Sequence, residues 1–124
     1  MARLRRPLGV LVIVALAGVL LAGCGSGGAL SDARISCVLV HRALTDQRES
    51  QARNLSVARQ HFLQSRALSE LLKATPAAAA ATSLDGSWNP LMTTINEAER
   101  VPLVDLVASL SRLCRVADSS TPYL

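Results

Sequence analysis

Four sets of side chains in this 124-residue chain have chemistry worth asking about: three cysteines, two histidines, one tryptophan, and a short run of acids near the C-terminus. His41 and His61 are 20 positions apart. On one helix that spacing is roughly 30 Å, so the two cannot share a ligand. His41 follows Cys37 by one helical turn, which suits packing or hydrogen bonding beside a cysteine bridge. Glu97, Glu99 and Asp105 flank Arg100. Paired carboxylates do acid–base work only when one is buried and shifted, and this cluster reads as a solvated helix face. There is no Ser-His-Asp order, no Gly-rich phosphate loop, no Cys-x-x-Cys and no His-Glu-x-x-His. No catalytic residue, cofactor or metal is expected, and the chain does not read as an enzyme. Trp88 has two readings. Its ring plugs the end of a helical domain, or it stands exposed as a candidate partner contact, since Trp is enriched at binding hot spots.

The length allows one small domain. The net charge of +4 is unevenly placed: Arg3, Arg5 and Arg6 lie at the extreme N-terminus. Without them, ten Lys or Arg face nine Asp or Glu. A nearly neutral domain with no basic patch interleaved with aromatics argues against a nucleic-acid partner. The three arginines are followed by an uncharged apolar run from Leu8 to Leu21. That is the layout of a secretory signal peptide, expected over 1–23. It is shorter than the roughly 20 residues a membrane span needs.

The leader ends in Leu21-Ala22-Gly23-Cys24. This run resembles the lipobox of bacterial lipoproteins. The resemblance implies cleavage before Cys24 and a diacylglyceryl thioether on its sulfur. Acyl chains there meet the two-signal requirement for stable membrane anchoring. Gly25-Ser26-Gly27-Gly28 reads as a flexible tether, so 24–30 is expected to join the lipid to a folded domain over 31–118. The expected place is the outer face of the cell membrane.

With Cys24 acylated, Cys37 and Cys114 remain. An exported compartment is oxidising, and an even remainder fits one disulfide. The bridge closes a loop of about 77 residues, which the chain-entropy model values at roughly 4 kcal/mol or more. Two isolated cysteines do not offer the ligand spacing of a metal site.

The elements that position these groups read as helical, and the fold class as all-α. Ser31-Asp32 look like an N-cap and first-turn acid. From there to Thr75 there is no Gly or Pro, and Ala, Leu, Arg, Gln and Glu predominate. The spacing predicts one long helix of about 44 residues, with a break near Asp46 to Gln51 as the alternative. Thr75-Pro76 and Asn89-Pro90 each read as a cap followed by an N1 proline. The intervening alanine run is either a helical turn or a loose linker, and Leu84-Asp85-Gly86-Ser87 is a turn. Leu91, Ile95, Ala98, Pro102, Leu106 and Leu110 form a helical stripe, and Leu103, Val107, Leu110 and Cys114 lie on a neighbouring one. Pro102 either kinks that helix or starts a new one. Residues 119–124 are a tail. An antiparallel hairpin or small bundle closed by the disulfide accounts for these lengths, with 72–88 at its far end.

The stretch Trp88 to Glu97, then Arg100-Val101-Pro102, Leu106-Val107, Leu110 and Cys114, resembles small exported helical proteins of actinobacteria that carry no assigned function. The resemblance implies an α-helical domain with an early and a late cysteine, and carries no activity. The functional expectation is therefore a membrane-anchored helical module that works by interaction with an envelope protein. The alternative is a small-ligand carrier for haem or lipid. His41, His61, Met92 and Tyr123 are the only side chains suited to a haem iron.

Overall fold

The computed structural model describes residues 27–119. The leader, Cys24 and residues 120–124 lie outside that range. The described residues form α1 (Gly27–Ser50), α2 (Val57–Lys73), α3 (Thr75–Leu84), a 3-10 turn (Gly86–Trp88), α4 (Asn89–Glu97) and α5 (Leu103–Asp118). No strand occurs among them, and no helix is long and apolar enough to cross a membrane.

The expected 44-residue helix is two helices. The break falls just after Ser50, at the end of the interval that the alternative reading marked. Gln51 and Ala52 donate their backbone N–H groups to Arg48 and Glu49 carbonyls at 3.1 Å, tightening the last turn. Asn54 then adopts a left-handed conformation at φ 66°, which Asn tolerates better than most residues. Ser56 caps α2 by accepting from the Arg59 amide at 3.1 Å. A straight helix would leave Leu63, Ala67 and Leu71 in water. Folding α2 back buries all three, and apolar burial outweighs a few continued helical bonds.

The N-terminal boundary also differs from expectation. α1 begins at Gly27 rather than after Ser31, so the helix takes up Gly27 and Gly28 from the tether and buries Ala29 to 4% exposure.

Contacts along α1 set the topology. Asp46 meets Arg66, Ser36 Oγ donates to the Ala74 carbonyl at 3.2 Å, and a Cβ on Gly28 would sit 3.2 Å from Leu84 Cδ1. α2 and α3 therefore form one arm antiparallel to α1. Ala74 is their shared cap, and Pro76 bends the arm by lacking an N–H. α4 turns back along α3, and α5 runs down α1 again, with Gln47 beside Leu103 at one end and Arg34 bonded to Ala117 at the other. The result is an up-down-up-down bundle with a bent second arm. Pro102 neither kinks a helix nor occupies N1; it is the N-cap of α5. The hairpin's far end is not where the sequence pointed, because Leu84 lies against Gly28, next to the start of the domain.

Cys37 and Cys114 are both fully buried and bonded, with Cα atoms 5.5 Å apart. They tie the middle of α1 to the last turns of α5 across 77 positions of sequence. Changing both to Ala should cost about 2–5 kcal/mol. Urea unfolding of the purified chain, read by helical circular dichroism, measures this. A variant as stable as the parent would show that the bridge adds nothing to packing.

Candidate functional site

Two turns of α1 and the facing turns of α2 line a surface cleft of about 400 Å³ made by His41, Arg42, Thr45, Asp46, Arg66 and Glu70. The cleft is lined by polar and charged residues, together with their aliphatic stems, because helix periodicity turns the apolar residues of both helices the other way, into the core. Val40, Ala43 and Leu44 on α1, and Leu63, Ala67 and Leu71 on α2, are buried to 2% exposure or less.

Asp46 is the pivot of this cleft. It is 7% exposed and takes a two-pronged contact from Arg66: Nε donates to Oδ2 at 2.7 Å and a terminal nitrogen to Oδ1 at 2.6 Å. Such forked pairs are among the stronger side-chain interactions. The hydrogen bonds from Arg66 hold the Asp46 carboxyl below its usual 3.8, against the opposing effect of burial. Arg66 also lies 5.5 Å from the centroid of the Phe62 ring, and Arg59 lies 5.3 Å from it. Both distances are within cation–π range. The Asp46–Arg66 pair was not visible in the sequence, since its partners lie 20 positions apart and meet only because the chain folds back after Ser50.

His41 donates through Nε2 to Asp118 Oδ2 at 2.7 Å. Each partner lies one turn beyond a bridged cysteine, so the contact sits beside the disulfide as the spacing suggested. Arg34 adds bonds from Nε to the Ala117 carbonyl at 2.8 Å and from a terminal nitrogen to the Ser119 carbonyl at 3.2 Å. A cation bonding the last carbonyls of a helix is favoured by its dipole. Both side chains of the His41–Asp118 pair are about half exposed, which limits its worth to a small fraction of the fold's stability.

The remaining sequence candidates do not converge on one place. His61 is exposed on the outer side of α2, Met92 packs partly buried against the core from α4, and Tyr123 lies outside the described residues. Among the described residues, no three His, Cys, Asp or Glu side chains are grouped to hold a metal. Glu97 pairs with Arg100 at 2.6 Å on the surface, while Glu99 and Asp105 are exposed. Trp88 is 5% exposed and belongs to the core. It is not an exposed anchor: the 3-10 turn capped by Asp85 swings the indole inward before α4 begins. In chemical terms the cleft offers Arg42 to a polar ligand, with Asp46, Arg66, His41 and Glu70 already engaged. No family model, curated protein or solved structure matches this chain.

Two expectations follow from these placements. Trp88→Ala should cost about 3–5 kcal/mol by leaving a core cavity, seen as a lowered thermal midpoint. An unchanged midpoint would return Trp88 to the surface. Arg66→Met should lower stability at neutral pH, because the Asp46 carboxylate then loses both of its hydrogen bonds. Because the folded pKa of Asp46 lies below its unfolded value, the pair's contribution is full above about 3.8 and fades as pH falls through the lowered value. The gap between parent and variant should therefore close in acid. A gap that stays constant across that range would mean that Arg66 contributes through packing alone.

Proposed function

We propose that this chain is a lipid-anchored helical module on the outer face of the cell membrane, acting by contact with another protein rather than by catalysis. The observation that carries the reading is the Leu21-Ala22-Gly23-Cys24 run behind a basic, apolar leader. The bridge between Cys37 and Cys114 supports it, because such bonds persist in oxidising compartments. Gly27 follows Cys24 by three positions, a reach of about 10 Å at most, so a domain acylated at Cys24 stays close to the bilayer. Its end remote from Gly27 presents Val57, more than half exposed. Large apolar side chains in water suit a protein contact.

Replacing Cys24 by Ala tests the anchor. The variant should leave the membrane fraction after export, or accumulate with its leader uncut. A Cys24→Ala protein that is processed normally and still sediments with membranes would overturn the proposal.

A further inference from the structure

The outward face of α2 carries exposed side chains with no acid among them. Ala58, His61, Phe62, Ser65, Leu68 and Ser69 are exposed, with Leu72 half-buried beside them. Phe62 is 52% exposed and Leu68 37%. Ser65, Leu68, Ser69, Leu72 and Lys73 line an open groove of about 540 Å³ along this face.

The two flanks of that face differ in charge. On the α1 side stand Arg59, Arg66 and Lys73. Arg66 and Lys73 are paired with Asp46 and Glu70, and Arg59 has no ion pair among the described residues. On the other side, Gln64 and Leu68 share a cleft of about 280 Å³ with Val101, Pro102, Leu103 and Val104. Val104 is 48% exposed. The adjoining Glu99 and Asp105 have no ion pair among the described residues. The face therefore has an apolar and small-residue centre, an unpaired cation on one edge and unpaired acids on the other. Arg59 lies over the Phe62 ring but opposes the dipole of its helix, being a cation in a first turn.

We propose that this face is the contact surface between two copies of the chain, related by a two-fold axis parallel to α2. The charge pattern selects that axis. A two-fold axis running along the helices exchanges left and right edges, so Arg59 of each copy meets the acidic edge of the other. An axis across the helices would set cationic edge against cationic edge and acidic against acidic, and like charges in contact oppose association. Ser65, Ser69 and Ala58 let the two helices approach closely, and Phe62 and Leu68 lose their exposure. The contact is isologous and closes at two copies. One consequence rests on the anchored reading above: parallel pairing leaves both N-terminal ends on the same side, so two acylated cysteines can enter one bilayer. The pairing itself does not depend on acylation.

Sedimentation of the full-length chain in density-matched detergent tests this directly. The parent should show a reversible monomer–dimer equilibrium. Leu68→Glu should raise the dissociation constant about tenfold or more, with unchanged helical circular dichroism, by placing a charge in the apolar centre. Arg59→Glu should weaken pairing, and Arg59→Glu with Asp105→Arg should restore it, because each copy then carries the exchanged edges. Ala80→Glu, on the exposed side of α3, should have no effect. A parent that stays monomeric at about 100 μM, where even weak specific pairs form, would overturn the proposal. So would a charge exchange that fails to rescue, or an Arg59→Glu variant that pairs more tightly than the parent. Fractionation of the Cys24→Ala variant reads the anchor separately, so failure of either proposal is recognised without the other.

Discussion

The core of this bundle is built from small side chains, and the rest of the structure follows from that. Among the described residues, nine of the 21 buried hydrophobic ones are alanines. Ala29 and Ala33 of α1, with Ala78 and Ala81 of α3, let two backbones lie close together where larger residues would hold them apart. Close approach has a cost. An alanine removes little apolar surface from water, and a domain of this size has few large residues to compensate. Leu71, Leu91, Ile95, Leu110 and Trp88 supply most of the bulk. The covalent bond between Cys37 and Cys114 contributes what a richer core supplies elsewhere, and it does so at the junction of α1 with α5.

Polar groups at the helix interfaces are satisfied with similar economy. Ser36 and Ser50 are buried, and each hydroxyl donates to a backbone carbonyl. Asp46 is the one nearly buried carboxylate, and Arg66 answers both of its oxygens. No buried side-chain nitrogen or oxygen among the described residues lacks a partner. A bundle whose apolar surplus is thin tolerates few orphaned polar groups, since each costs about 1–3 kcal/mol.

The legible parts of this structure are those with local chemical markers. Pro76 and Pro90 announce first turns, Leu84-Asp85-Gly86-Ser87 a turn, and two cysteines in an even remainder a bridge. The apolar spacing from Leu103 to Cys114 is met by burial of Leu103, Leu110 and Cys114. The break after Ser50 was harder to place, because no glycine or proline marks it. Its signals are Asn54 and Ser56, two polar residues that also occur on solvated helix faces. On one unbroken helix, Phe62, Ser65, Ser69 and Leu72 continue the face that holds Cys37 and His41, whereas the fold turns them away from the bridge. The site suffers most from this. Asp46 with Arg66, and Leu68 with Val104, are neighbours only through the fold-back and the return of α5. Trp88 was ambiguous because a lone tryptophan serves equally well as core or anchor, and the choice rests on which way one short turn swings.

The position of the disulfide also decides how the domain bears a pull. Tension applied between Gly27 and Ser119 travels down the first turns of α1 to Cys37, crosses the sulfur–sulfur bond, and leaves through the last turns of α5. The chain between the two cysteines, which holds α2, α3 and α4, is outside that path. Arg34, bonded to the Ala117 and Ser119 carbonyls, reinforces the stretch that does carry load. A strain on the two ends of the domain would fray at most those outer turns, and the surfaces on α2 would keep their shape under it.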